Sequence, residues 1–128
     1  MFVVSVQAHY DSAHFLRHYH GKCERLHGHR YVVEIALAAH ELNEAGIAFD
    51  FVDVKRELRG LADRLDHENL NDLEPFTELE PSAENQARYF YEEMRRRLPE
   101  VAREAVLYVR VWETPTQWAT YSERTLFI

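Results

Sequence analysis

Hydrophobic periodicity changes along this chain in an order that predicts an α+β fold, with a four-stranded antiparallel sheet and two helices on one of its faces. Two alternating, valine-rich segments come first, two segments with helical spacing follow, and two more alternating segments close the chain. The 128 residues contain no internal repeat or low-complexity stretch, so residues 1–128 are expected to form one domain around one core.

FVVSVQAHY (2–10) alternates and is rich in valine, which predicts the first strand. YVVEIALAA (31–39) predicts the second, with Tyr31, Val33, Ile35 and Leu37 on one face. HELNEAG reads as a turn, and IAFDF brings the chain back. Asp53 is the expected N-cap of the first helix, because Val54, Leu58, Leu61, Ala62 and Leu65 follow at helical spacing. Gly60 weakens that helix by up to about 1 kcal/mol relative to alanine. NDLEPFTELEP reads as a loop. Ser82 starts a second helix, with Glu84 in its first turn and an apolar stripe of Ala87, Phe90, Tyr91, Met94 and Leu98. Pro99 stops it. AVLYVRVWE (105–113) and TYSERTLFI (120–128) predict the third and fourth strands. Such a sheet leaves two open edges, which predicts association between copies.

The net charge of −7 argues against a general nucleic-acid binder, which is normally basic. The charge is uneven, however. Arg17, Lys22, Arg25 and Arg30 stand against a single Glu24, a patch that suits a small anionic ligand and equally an ordinary solvated face. No segment approaches the roughly 18 consecutive apolar residues of a membrane span, and the first residues do not look like a signal peptide. One cysteine, Cys23, permits no intrachain disulfide and fits a cytoplasmic setting.

Six of the eight histidines fall between His9 and His29. Residues i and i+2 of a strand share a face, so His27 and His29 converge if the second strand reaches back that far. Gly28 removes bulk between them. His14, just beyond the first strand, then supplies a third imidazole if the two strands pair. Three histidines and a water make an open catalytic zinc site, whereas scattered polar or core histidines are the plainer reading. Cys23 is open to three readings: a fourth ligand closing a structural site, a free thiolate favoured by Lys22 and Arg25, or a small buried apolar residue. Asp66 and His67 can form a hydrogen-bonded dyad only if the first helix has ended by Asp66. Otherwise His67 is a favourable residue at a helix C-terminus. Glu113 shares parity with Leu107, Val109 and Val111, so either a carboxylate closes an apolar strand face or the chain has already left for solvent. Buried, its two oxygens would suit paired N–H donors on a flat heterocycle.

Taken in order, SAHFL, CERLHGH, FDF, RLDHENLND, PSAEN and WETPT resemble the 6-pyruvoyltetrahydropterin synthase / 6-carboxytetrahydropterin synthase family over nearly the whole chain. The resemblance implies zinc held by His14, His27 and His29, a catalytic Cys23 working with Asp66 and His67, and Glu113 anchoring a pterin ring. It also implies the tunnelling fold, in which trimers close their sheets into a barrel and two trimers stack into a homohexamer with active sites between subunits. Three residues separate Cys23 from His27, as in the bacterial 6-carboxytetrahydropterin synthases of the queuosine (7-deazaguanine) pathway. The implied reaction converts 7,8-dihydroneopterin triphosphate and water to 6-carboxytetrahydropterin, acetaldehyde and triphosphate. Lys22 and Arg25, with Arg17, are nearest in sequence for holding the triphosphate. Glu24 departs from many queuosine-pathway relatives, and the pattern C-E-x-x-HGH keeps a second, folate-linked product open, 6-hydroxymethyl-7,8-dihydropterin. Two further alternatives are 6-pyruvoyltetrahydropterin synthesis on the same scaffold and a non-catalytic zinc-stabilised binding module.

Overall fold

The computed structural model describes residues 1–21 and 24–126; the expected roles of Lys22 and Cys23 therefore lie outside the described residues. The chain forms strands β1 (Phe2–His14) and β2 (His27–Ala39), helix α1 (Phe51–Leu65) and a short strand β3 (Glu68–Asn69). Helices α2 (Ala83–Arg97) and α3 (Glu100–Ala105) follow, then strands β4 (Val106–Thr114) and β5 (Gln117–Tyr121). The sheet order is β3-β1-β2-β4-β5, antiparallel except for β3, which lies parallel to β1. This is the expected α+β arrangement with one more strand and one more helix than the sequence predicts. No helix among the described residues is long and apolar enough to cross a membrane.

Both opening strands are longer than their alternating cores. β1 runs on to His14 and β2 begins at His27, because a continuous antiparallel ladder pairs Phe2 with Ala39 at one end and His14 with His27 at the other. Every second added residue gains a pair of ladder hydrogen bonds, which offsets the weak strand preference of HGH.

α1 starts three residues before the expected position. Asp50, not Asp53, is its N-cap, with a carboxylate oxygen accepting from the Val52 N–H at 2.8 Å. Asp53 instead sits in the first turn, where it meets the positive end of the helix and pairs with Arg56 at 3.2 Å. α2 begins as expected: the Ser82 hydroxyl accepts from the Asn85 N–H at 3.1 Å. Pro99 ends it and at once opens α3, its carbonyl accepting from the Arg103 N–H at 2.8 Å. The last strand is a correction. β5 begins at Gln117 and ends at Tyr121, because Pro115 and Thr116 turn the chain straight back and set Trp118 opposite Trp112. Residues 122–126 carry no strand, and the Ser122 hydroxyl donates instead to the Leu107 carbonyl at 2.6 Å.

The helices cover one face of the sheet. Tyr10, Tyr31, Val33, Ile35, Val109 and Val111 on that face are fully buried with Leu58, Leu61 and Leu65 of α1 and with Ala87, Phe90 and Met94 of α2. Burying each large side chain stabilises the fold by roughly 1.5–3 kcal/mol. Tyr10 stacks on Tyr31 with ring centres 5.1 Å apart, directly beneath the histidine-bearing strand ends.

Candidate metal and catalytic centre

His14, His27 and His29 meet at the end of the β1–β2 ladder. His14 is the register partner of His27 and Ser12 that of His29, so strand pairing alone brings the three imidazoles to one corner. One ring nitrogen of each lies within 4.8 Å of the others. His14 Nδ1 is 2.6 Å from the Pro81 carbonyl, and His27 Nδ1 is 2.6 Å from the Arg25 carbonyl. A carbonyl only accepts, so both Nδ1 atoms carry the proton and both Nε2 atoms present lone pairs. Those two Nε2 atoms face each other at 3.0 Å. Two lone pairs at that separation repel unless a cation lies between them. Zinc–nitrogen bonds of about 2.0–2.1 Å place tetrahedral ligand atoms about 3.3 Å apart, so the donor set fits. Burial pushes His14 and His29 below the ordinary histidine range, which keeps them in the neutral form that binds metal. Gly28 is not what permits the convergence. A Cβ there would meet only the Ser12 carbonyl, at an ordinary 3.6 Å.

Glu113 faces this cluster rather than open solvent. Its Oε1 lies 3.5 Å from His14 Nε2 and 3.9 Å from His29 Nε2. The β4–β5 register shifts between Trp112 and Thr114, and an irregularity of this kind re-aims a side chain. Glu113 also lines a cleft of about 410 Å³ with Glu84, Gln117 and Trp118.

Asp66 and His67 form the dyad the sequence allows. α1 ends at Leu65, and His67 takes a left-handed backbone with φ 58°, so neighbouring side chains turn towards each other. Asp66 Oδ2 is 2.8 Å from His67 Nδ1, and Asp66 Oδ1 accepts from the Asp11 N–H at 2.8 Å. The Asp11 N–H and His67 together hold the Asp66 carboxyl below its usual range. The His67 N–H donates to the Asp11 carbonyl at 2.6 Å, which ties the dyad to β1. The His67 side chain is 79% exposed, leaving Nε2 open to an incoming molecule. His29 and His67 line one cleft of about 560 Å³, together with Asp11 and Arg30. Arg30 makes two hydrogen bonds to the Asp11 carboxylate, at 3.0 and 3.2 Å. No sequence motif marks this pair; its only signal is the register that sets Asp11 opposite Arg30.

The basic residues divide. Arg17 is committed to the fold: its guanidinium donates to the carbonyls of Asn71, Phe76 and Leu79 and pairs with Glu80 at 3.7 Å. Arg25 is exposed beside the histidines. Glu24 is exposed too, 3.8 Å from His20.

Three comparisons bear on these residues. The family model described as 6-pyruvoyl tetrahydropterin synthase matches residues 3–124. The chain is 33% identical over 124 residues to a protein of Aquifex aeolicus named 6-carboxy-5,6,7,8-tetrahydropterin synthase, covering 80% of this chain and 76% of that one. It is 32% identical over 126 residues to the protein of the same name from Bacillus subtilis, covering 94% and 84%. The solved structure of Caenorhabditis elegans 6-pyruvoyl tetrahydropterin synthase superposes with a TM-score of 0.84 at 27% identity, covering 97% of this chain and 98% of that one. Likeness along almost the whole chain, in sequence and in shape, means that this protein belongs to the 6-pyruvoyl tetrahydropterin synthase family.

Proposed function

We propose that this single-domain protein is a zinc-dependent 6-carboxytetrahydropterin synthase. It takes 7,8-dihydroneopterin triphosphate and water to 6-carboxytetrahydropterin, acetaldehyde and triphosphate, in the cytoplasm and within queuosine biosynthesis. One observation carries the reading. Three imidazoles with nitrogens within 4.8 Å are bordered by a carboxylate, and one of them, His29, lines a cleft with His67 of the Asp–His dyad. The names of the Aquifex and Bacillus relatives support the carboxy product.

His14, His27 and His29 would hold zinc, which when bound polarises side-chain oxygens of the substrate and acidifies the adjacent C–H. Glu113 would accept from the 2-amino group and ring N–H of the pterin and fix the ring beside the histidines. Cys23, as a thiolate, would take a proton from the side chain. His67, oriented through Nδ1 by Asp66, would give or relay protons through its exposed Nε2. Exposed Arg25, with Lys22, would meet the triphosphate. The same reading expects a homohexamer, a pair of stacked trimers whose sheets close into a barrel.

The test is product analysis. Pure protein incubated with the substrate should release acetaldehyde and a 6-carboxytetrahydropterin mass; no acetaldehyde ends the reading. The likeness in shape to the nematode enzyme favours a second outcome, 6-pyruvoyltetrahydropterin, which the same mass spectrum separates. A 6-hydroxymethyl product lost selectively in Glu24→Ala would assign the folate-linked activity to that residue. A non-catalytic zinc module would make Cys23 a ligand, so Cys23→Ala would shed zinc and unfold. A catalytic centre keeps zinc and fold and loses turnover.

A further inference from the structure

The carbonyl that sets the tautomer of His14 is itself held in place. Pro81 O faces two nitrogens, His14 Nδ1 at 2.6 Å and Gln86 Nε2 at 3.0 Å. Both must donate, which orients the Gln86 amide and leaves its Oε1 to accept from the Tyr10 hydroxyl at 2.6 Å. The chain of hydrogen bonds therefore runs Tyr10, Gln86, Pro81, His14. It leaves β1 at Tyr10, crosses the first turn of α2, and returns to the same face of β1 at His14.

Every member is sealed from water. Tyr10 and Gln86 are 0% exposed and His14 is 1% exposed. Gln86 lies among the apolar residues Ala83, Ala87 and Phe90 on the buried side of α2. An apolar side chain would fill that position without the cost of desolvating an amide. What only the amide supplies is a donor to Pro81 O on one side and an acceptor for Tyr10 on the other.

We propose that Gln86, backed by Tyr10, is a positioning residue for the metal centre. It locks the Pro81 carbonyl against His14 Nδ1 and so keeps His14 Nε2 unprotonated and aimed at His27. Groups behind a metal ligand typically govern affinity by 10–100-fold. The proposal rests on the metal-centre reading above, and metal affinity, not turnover, tests it.

Zinc affinity is measured by competition with a chromophoric chelator in the full-length wild type, Gln86→Leu, Tyr10→Phe and a control, Leu98→Ala. Leu98 is buried at the far end of α2, so its truncation loosens the fold without touching the chain of hydrogen bonds. Gln86→Leu should weaken zinc binding about 10–100-fold, Tyr10→Phe less and in the same direction, and the control less than about twofold. Melting temperatures of the metal-free proteins show how far each fold is loosened. Wild-type affinity in Gln86→Leu overturns the proposal, and so does an equal loss in the control. If Gln86→Leu does not fold, unchanged affinity in Tyr10→Phe overturns it. A wild type that takes up no zinc at these histidines is a different result, because it removes the metal centre itself.

Discussion

At His67 the backbone enters a region that few residues other than glycine occupy, and this single turn aligns Nδ1 with the Asp66 carboxylate. Asp66→Asn keeps an oxygen for the Asp11 N–H but loses the charge that orients the ring. It should fold normally and lower kcat about 10²–10⁴-fold, measured on the pterin substrate; unchanged turnover would remove the dyad from the chemistry. His14 and His29 carry their own pH signature. Burial places His14 and His29 below the ordinary histidine value of 6.5, so protons compete for those nitrogens only as pH falls beneath it. The folded chain binds fewer protons there than the unfolded chain, so its contribution to stability is full above pH 6.5 and declines as pH falls. Zinc titrated with acid should leave with a midpoint below pH 6.5, followed by metal analysis after dialysis, and release at neutral pH would contradict the burial argument. His27 and His29 were legible because a strand repeats every two residues, and Asp66–His67 because the partners are adjacent. The Pro81 carbonyl was not, since a main-chain acceptor carries no residue signature.

Helix boundaries show what periodicity conveys and what it omits. Apolar spacing placed α1 and α2 on the core, and Ser82 marked the start of α2 correctly. It does not fix the cap of α1, because two aspartates lie within one turn and only geometry shows which reaches a free N–H. The difference is measurable in urea. Asp50→Ala should cost about 1 kcal/mol as loss of the cap, and Asp53→Ala only about 0.3–0.5 kcal/mol as loss of an exposed pair and a favourable charge. A larger loss from Asp53→Ala than from Asp50→Ala would return the cap to Asp53. α3 is illegible in the sequence because six residues after a proline are too few for a periodic signal. β5 lies earlier in the chain than alternation predicts, because its short run QWATY follows a turn that contains Pro115 and no long alternation announces it.

For the molecule as a whole, one helix-covered face and one open face define what it can join. The open face carries Arg110 close over Tyr108, its ring centre 4.7 Å away, and near Trp112 and Trp118; Trp118 is 53% exposed. The sheet edges are short β5 and the side of β1 beyond β3, which pairs only with Ser12 and Ala13. Large apolar side chains on an uncovered sheet and unpaired edges favour assembly. Light scattering of the purified protein should give the mass of six chains, and a monomer at micromolar concentration would count against the barrel.

The corner that gathers the imidazoles is the last rung of a ladder whose strands are 13 residues each, so strand pairing by itself brings them together. Stripped protein should keep its circular dichroism, unlike a zinc finger, and take up a substitute such as cobalt without refolding. A bound ion would then be an exchangeable part, and the colour of the cobalt form would report directly on a site the fold has already built.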